Sequence, residues 1–364
     1  MRNVLFLAVC MFSLIGCANR QDSNKWQLST VEDLWSNHPD QLRSLFKALD
    51  LNFQGLSEVE KALTYGDTIK AAINLLEYYQ KLDRAWIVNT LDSISYEEAL
   101  RQANSLVSDS VVREGKKYKI PTNADGSWKW DYTGPDKDDE FGYGLNGHKY
   151  LGSLFTVWKK TGDTKYINRY DQLVKDWVIH HPMPDKGDSV YMVWDPKISL
   201  DYRDIGEVEW RTLETGHRLG ASWPQTFYAL QNENSFSPAA RLLLLSSLAI
   251  QSDFLQQNHK SGHNWTTMEL NGLALAGLAF PEFENADTWA NYSQDVMKEE
   301  INRQVYPDGL QTEISSKTQW VALNRFETLA SNFAKAEKPM SEEYLSRVEL
   351  MYDYLAFSIR PDGH

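Results

Sequence analysis

Hydrophobic residues recur at helical spacing along most of the chain. Leu42, Leu45, Phe46 and Leu49 follow the i, i+3, i+4, i+7 pattern of a helix with one buried face. The same spacing predicts further helices over 69–86, 150–160, 166–178, 239–257, 285–305, 317–336 and 341–359. Strand signals are scarce, and the best short candidate covers 189–194. A long series of amphipathic helices joined by loops predicts an all-α architecture of stacked helical hairpins.

Turn and cap signals punctuate this pattern. Ser237-Pro238 predicts a helix N-cap followed by proline at the first helical position. A Gly-Asp pair predicts that 161–164 separates two helices. Two long loops are predicted over 123–146 and 182–206, and loops of this size inside a domain usually carry function. No linker composition is visible, so one helical domain is predicted over 26–364.

The first residues combine a positive charge at Arg2 with an apolar run over 4–15. This run is too short to span a bilayer as a mature helix and is typical of a signal peptide. The Leu-Ile-Gly-Cys sequence that ends at Cys17 resembles the bacterial lipobox, in which the cysteine is acylated. We therefore predict a signal peptide over 1–16 and an acylated Cys17 with a polar tether over 17–25. The protein would be exported and lipid-anchored to the bacterial outer membrane, in the periplasm or at the cell surface. A plain secretory signal is the alternative.

Composition narrows the possible partners. The formal net charge of −13 argues against nucleic acid, because a phosphate backbone requires a basic surface. The 13 Trp and 18 Tyr suit a groove that stacks on sugar rings, although large aromatic residues also fill cores. Cys10 lies inside the predicted leader, so the mature chain would lack a free thiol, a disulfide or a thiolate metal site. No metal or nucleotide motif is recognisable, and no cofactor or metal is predicted.

An aromatic loop is the first candidate site. Trp128, Trp130 and Tyr132 alternate with polar residues, and Asn146 and His148 follow. Rings stack on sugars while amide and imidazole groups bond to hydroxyl or carboxylate groups, so we predict that these residues bind substrate. The alternative is that these residues are structural and anchor the loop by packing in the core.

Arg211 and Glu214 form the second candidate. On a helix they share one side at i, i+3 and form an ion pair. An arginine in such a place is also able to receive a uronate carboxylate in a bidentate manner, so both are predicted to bind substrate. A purely structural ion pair is the alternative.

The third candidate is a predicted helix start at His263 and Asn264, followed by Trp265 and Glu269. Backbone N–H groups at a helix start favour an anion. A neutral amide there is able to hold a carboxylate, which makes the proton on the neighbouring carbon more acidic. From these residues alone, one interpretation is a carboxylate site at Asn264 and His263, with Trp265 and Glu269 as substrate-binding residues. A simple helix cap at Asn264 is the alternative.

Taken together and in this order, these segments resemble the N-terminal part of the heparinase II/III family of polysaccharide lyases, over roughly residues 120–363. The matching segments are Leu145-Asn146-Gly147-His148, Thr161-Gly162-Asp163 with Trp177, Trp210-Arg211 with Glu214, His263-Asn264, 278–283, 300–309 and Arg360-Pro361-Asp362-Gly363.

The resemblance implies an incomplete α/α toroid that is followed in the family by a C-terminal β-sandwich. It implies cleavage of an acidic, uronate-containing polysaccharide, such as a heparan sulfate-like glycosaminoglycan, by β-elimination. By the same resemblance, Asn264 and His263 would be catalytic, with Asn264 neutralising the uronate carboxylate, and Asn146 and His148 would contact sugar.

The sequence departs from the family at two places. The family carries Glu-x-Ser-x-x-Tyr-His after a Tyr-Pro-Asp-Gly turn, with the tyrosine as acid or base. Here Glu313 and Ser315 are kept, but Thr318 and Gln319 stand where the tyrosine and histidine would be. A threonine hydroxyl is too weak an acid to replace a phenol unaided. The sequence also ends at His364, where the sandwich would begin, so the expected toroid lacks it.

Three functions follow from these observations. The first is a polysaccharide lyase, or the N-terminal part of one, with Glu313 in the substrate cleft. The second is a non-catalytic surface lipoprotein that binds glycans. The third is a glycoside hydrolase, which needs two carboxylates across a cleft, and Asp131, Glu214 and Glu269 are available for it.

Overall fold

The computed structural model describes residues 25–88, 94–184, 208–259, 261–262 and 264–358. The predicted leader, Cys17, His263, the 189–194 strand and most of the 182–206 loop lie outside the described residues.

Helices make up most of the described chain. They are α1 (Val31–Asn37), α2 (Pro39–Ala48), α3 (Ser57–Thr64), α4 (Thr68–Gln80), α5 (Ala85–Val88), α6 (Tyr96–Val107), α7 (Asp139–Asn146), α8 (Gly152–Thr161), α9 (Lys165–His180), α10 (Thr212–Ala221), α11 (Trp223–Ala229), α12 (Pro238–Asn258), α13 (Asn264–Ala279), α14 (Ala286–Gln304), α15 (Ser316–Lys335) and α16 (Glu342–Ser358). Two short strands, β1 (Ser110–Arg113) and β2 (Lys116–Lys119), pair antiparallel with Val111 opposite Tyr118. The all-α prediction is confirmed, and the helices form a toroid of helical hairpins.

The cap signals act as the sequence predicts. The Ser237 side chain accepts the N–H of Ala240, and Pro238 is the first residue of α12. Gly162 adopts a left-handed conformation (φ 69°) and its N–H donates to the Trp158 carbonyl, which ends α8. A residue without a Cβ tolerates this backbone at low cost, so α9 starts in a new direction.

Two sequence predictions are wrong in detail. The single helix over 69–86 is interrupted after Gln80, and the Asp83 side chain accepts the N–H of Ala85 at the start of α5. The predicted loop over 123–146 contains α7, because Asp138 caps this helix by accepting the N–H of Glu140. Local capping by aspartate therefore decides both boundaries.

The core centres on α12 and α13, which bury residues on almost every side. α13 crosses α10 at glycines: a Cβ added to Gly272 would lie 2.3 Å from the Gly216 carbonyl oxygen. A Cβ on Gly220 would lie 3.2 Å from the Cα of Gly272. The two backbones are therefore in direct contact where α10 and α13 cross.

No helix in the described part of the chain is long and apolar enough to cross a membrane.

Candidate functional site

Arg211 connects three helices at the crossing of α10 and α13. It immediately precedes α10, and its guanidinium lies 3.5 Å from the ring centroid of Tyr143 on α7. The same guanidinium lies 4.8 Å from the ring of Trp265 on α13. A cation held between two aromatic faces is favourable because each ring presents its negative quadrupole. The start of α10 is therefore fixed against both neighbours.

The predicted ion pair between Arg211 and Glu214 is confirmed. Arg211 Nη2 donates to Glu214 Oε1 at 2.8 Å, and Nε donates to Oε2. Burial raises the pKa of the Glu214 carboxyl, and the hydrogen bonds from Arg211 oppose this rise. The fork of Arg211 is thus occupied by Glu214, and its Nη1 also lies 3.7 Å from Glu140 Oε1, so Arg211 has no free bidentate fork for a ligand.

His217 lies on α10, three residues after Glu214. Its Nε2 is 3.4 Å from the Met268 sulfur on α13, and its Nδ1 is 3.5 Å from where a Cβ on Gly147 would lie. Burial lowers the pKa of His217 well below its usual value, and the positive charges of Lys149, Arg325, Arg211 and Arg218 lower it further. The imidazole is therefore neutral at pH 7.

These side chains lie around the crossing of α10 and α13, and we call this group of residues the cation-lined cleft. Positive charges surround a neutral imidazole there, although the whole chain carries a formal charge of −13. Such a concentration of charge attracts anions locally. The cation-lined cleft comprises Tyr143, Lys149, Arg211, Glu214, His217, Asn264, Trp265 and Arg325.

Asn264 is the first residue of α13, as the sequence predicts for a helix start. It is half-buried, and its carbonyl accepts a hydrogen bond from the Thr267 hydroxyl at 2.7 Å. Met268, the contact of His217, lies one helical turn further along the same side. Asn264 therefore lies at the end of α13 that meets α10, beside the Trp265 ring that contacts Arg211.

Trp128 and Trp130 occupy the core and do not line the cation-lined cleft. They are 2% and 1% exposed, and their rings pack against each other. The Trp128 indole N–H donates to Asp109, and Arg169 lies over its ring. The predicted stacking of sugar on these two rings does not fit this burial, which supports the alternative of a structural plug.

Asn146 and His148 are also fully buried. The Asn146 amide donates to the carbonyls of Trp130 and Gly142, and its oxygen accepts the Trp177 indole N–H at 3.0 Å. His148 has a left-handed backbone (φ 56°), and its Nδ1 accepts the Trp223 indole N–H at 3.1 Å. These contacts fix the end of α7 and the turn after it. Asn146 and His148 therefore have structural roles and are not exposed to a ligand in the cation-lined cleft.

The remaining predicted binding residues lie elsewhere. Tyr132 is half-buried with its ring edge against Phe141, and Glu313 is exposed on the turn before α15. Glu269 is 0% exposed, with its Cα 2.7 Å from where a Cβ on Gly216 would lie. Because Glu214 is bound by Arg211 and Glu269 is enclosed, these two carboxylates do not face each other across an open cleft. The hydrolase interpretation therefore gains no support.

None of the sequence motifs assigned a role to Tyr143, Lys149, His217 or Arg325. Tyr143, Lys149 and Arg325 come from other helices and turns, and only folding brings the charges of Lys149 and Arg325 to His217. The spacing of Glu214 and His217 at i, i+3 was the one local signal that could have indicated the imidazole.

Arg218 holds together the segments of chain that lie next to the cation-lined cleft. It is fully buried, and its Nη1 donates to the carbonyls of Asn146 at 2.7 Å and Glu209 at 2.9 Å. Its Nε donates to Gln251 at 2.6 Å. Burial lowers its pKa to about 9. The guanidinium thus ties α10 to the turn after α7 and to α12.

Acid is expected to destabilise the fold through its buried histidines. Burial lowers the pKa of both His148 and His217 well below the unfolded value near 6.5. Above pH 6.5 both histidines are unprotonated in the folded and in the unfolded protein. Below pH 6.5 only the unfolded protein protonates them, so each histidine lowers the free energy of unfolding by about 1.4 kcal/mol per pH unit. His180, whose pKa is raised by its bonds to Asp176, acts in the opposite direction.

His148→Asn tests this expectation. Asparagine keeps an acceptor for the Trp223 indole and tolerates a left-handed backbone, but it takes up no proton. We expect the variant to be less stable at pH 7.5 and to lose less stability on going to pH 5, as measured by urea unfolding at each pH. An unchanged loss would show that His148 does not cause the acid sensitivity.

In the described residues, no three His, Cys, Asp or Glu side chains are grouped so as to hold a metal ion.

The fold defines a helical-toroid protein in which basic side chains are grouped at the crossing of two helices. The family model described as Heparinase II/III N-terminus matches residues 45–364. The chain therefore belongs to this family.

Curated relatives and solved structures agree with the family assignment. The chain is 28% identical over 335 residues to a heparin-sulfate lyase of Pedobacter heparinus, covering 88% of this chain and 47% of that protein. A heparin-sulfate lyase of Bacteroides thetaiotaomicron is 27% identical over 333 residues, covering 86% and 44%. The crystal structure of the heparan sulfate lyase HepC from Pedobacter heparinus superposes with a TM-score of 0.70 at 26% identity, covering 88% of this chain and 49% of that one. The chain thus spans about half the length of the curated relatives it matches.

Proposed function

We propose that this chain is a polysaccharide lyase, or the N-terminal part of one, that cleaves a uronate-containing glycan by β-elimination. The observation that carries the proposal is the cation-lined cleft, where positive charge concentrates beside Asn264 in an acidic protein. The names of the relatives, which are heparin-sulfate lyases, support a heparan sulfate-like glycosaminoglycan as the substrate.

The proposed reaction removes the proton on C5 of the uronate and expels the oxygen on C4. The C5–H electron pair forms the new C4=C5 double bond, the C4–O bond breaks, and the leaving oxygen takes up a proton. The Asn264 amide donates to the uronate carboxylate, which stabilises the negative charge that develops beside it. The charges of Lys149 and Arg325 act in the same direction, and the Trp265 ring offers a face to sugar.

Within the cation-lined cleft, His217 and Tyr143 are the side chains that we propose exchange the proton. Thr318, at the position of the family tyrosine, lies in the first turn of α15 with its N–H bonded to Ser315. Gln319 is buried, and its amide bonds to the backbone of Gly309 and Gln311. His217 is neutral and has an unprotonated ring nitrogen, its lowered pKa makes it a weak base in the free protein, and burial raises the pKa of the Tyr143 phenol.

A substrate panel tests the proposal. The chain is incubated with heparan sulfate, chondroitin, hyaluronan, alginate and ulvan, and the ultraviolet absorbance of the unsaturated product is followed. We expect product from at least one of these uronate polymers, with heparan sulfate the first candidate. The enzyme proposal fails if the chain, extended to its natural end, gives no product from any of them.

Anion binding is expected to raise the pKa of His217. Nearby cations lower this pKa in the free protein, and a bound carboxylate would offset part of their field. The measurement is an NMR titration of the His217 ring with and without a heparan sulfate oligosaccharide, with a neutral glucan oligosaccharide as control. An unchanged pKa on saturation with the anionic sugar would contradict binding in the cation-lined cleft.

We also propose that the protein is exported and held at the bacterial outer membrane by acyl groups on Cys17, as its lipobox-like sequence suggests. Cys17→Ser is expected to abolish incorporation of labelled fatty acid and to release the protein from membranes. Equal labelling of the variant would refute the anchor.

A further inference from the structure

A groove lies beside the cation-lined cleft, between the β-hairpin and the helices α6 and α8. It consists of two cavities of 440 and 330 Å³ that share Gln102, Val112, Lys149 and Tyr150 in their linings. Cavities of this size are typical of small-molecule sites. Apart from Lys149, none of the shared residues belongs to the cation-lined cleft.

Gln102 carries an unused hydrogen-bond donor in this groove. The side chain is 9% exposed, and its Oε1 accepts the N–H of Val112 at 3.1 Å. Its Nε2 is buried and has no hydrogen-bond partner. A buried donor without an acceptor costs free energy, and a ligand oxygen placed beside it would recover that cost.

Lys149 joins the groove to the cation-lined cleft. Its side chain is exposed and lines both cavities, and its charge acts on His217. The larger cavity is also lined by Arg101, Thr156, Glu98 and Glu114, and the smaller one by Arg113 and Glu140. The groove therefore offers cations and an amide donor to sugar oxygens, together with carboxylates that accept from sugar hydroxyl groups.

We propose that the groove binds further sugar units of the glycan whose uronate occupies the cation-lined cleft. This inference rests on the proposed function and extends it from one uronate to an oligosaccharide. Sugar oxygens accept from Gln102 Nε2, and the Lys149 ammonium lies where the chain passes from the cleft into the groove. Polar side chains that converge on a preformed cavity are typical of saccharide sites.

The test compares the affinity of this chain for heparan sulfate disaccharide and hexasaccharide by calorimetry. Gln102→Glu keeps the acceptor for Val112 and removes the donor, while Thr156→Trp fills the larger cavity. Lys159→Trp adds the same bulk to an exposed position of the same helix, α8, and serves as the matched control.

We expect wild type and Lys159→Trp to bind the hexasaccharide about tenfold more tightly than the disaccharide. Gln102→Glu and Thr156→Trp should lose this gain while binding the disaccharide like wild type. If Thr156→Trp does not fold, Gln102→Glu decides alone.

Equal affinity of wild type for the disaccharide and the hexasaccharide would contradict binding in the groove and would leave the proposed function intact. The same conclusion would follow if Gln102→Glu kept the tighter binding of the hexasaccharide. Failure of every uronate oligosaccharide to bind overturns the proposed function and the groove together.

Discussion

Asn264→Ala is expected to lower kcat of the proposed elimination by about 100- to 1000-fold, the usual cost of removing one donor to developing negative charge. The amide begins α13, where the cation-lined cleft meets the helix N-terminus. The uronate carboxylate gains charge as the C5 proton leaves, so the amide bond strengthens in the transition state. The loss therefore appears in kcat more than in KM.

The measurement is the rate of unsaturated product formation at several substrate concentrations. Asn264→Asp replaces the donor with a negative charge that repels the uronate, so its activity should be no higher than that of Asn264→Ala. Asn302→Ala is the matched control, because the Asn302 amide is exposed and donates to the carbonyl of Lys298 in its own helix. Wild-type kcat in a folded Asn264→Ala protein would remove Asn264 from the mechanism.

Gly272→Ala is expected to destabilise the fold by about 3 kcal/mol, at the upper end of the usual cost of overpacking. The added methyl would lie 2.3 Å from the Gly216 oxygen and 2.9 Å from its carbonyl carbon. Both atoms are backbone, so neither moves away as a flexible side chain would. Helices α10 and α13 must separate, and with them Arg211 and Asn264.

Gly144→Ala is the control for this prediction. Gly144 lies in α7, and a Cβ there would meet nothing within 4 Å. An alanine in an exposed helix is expected to stabilise by about 0.5–1 kcal/mol. Urea unfolding measures both variants. A Gly272→Ala protein as stable as wild type would show that the two helices do not rely on glycine contact.

The sequence alone was sufficient for much of the fold. Apolar spacing located the main helices, because a helix with one buried face repeats every 3.6 residues. Ser237-Pro238 and Gly162 marked helix ends, because capping depends on a few neighbouring residues. The sequence pattern did not predict the strands β1 and β2. Each contains four residues, which are too few to show the two-residue alternation of a strand.

The site was less accessible to sequence reasoning. The ion pair of Arg211 and Glu214 follows from i, i+3 spacing and is present. Trp128, Trp130, Asn146 and His148 belong to recognisable motifs, yet all four are buried. Residue type does not distinguish an aromatic ring that binds sugar from one that fills the core, since both roles require the same large apolar face.

The cation-lined cleft that suggested anion binding is a property of the tertiary structure. By itself, the sequence determined the helical architecture, the cap positions, the family resemblance and Asn264 at a helix start, because each depends on neighbours in the chain. Only the tertiary structure decided which side chains surround His217, since Lys149 and Arg325 are far apart in sequence. Charge interactions depend on distance in space, and here the packing of the turn after α7, of α10 and of α15 sets these distances.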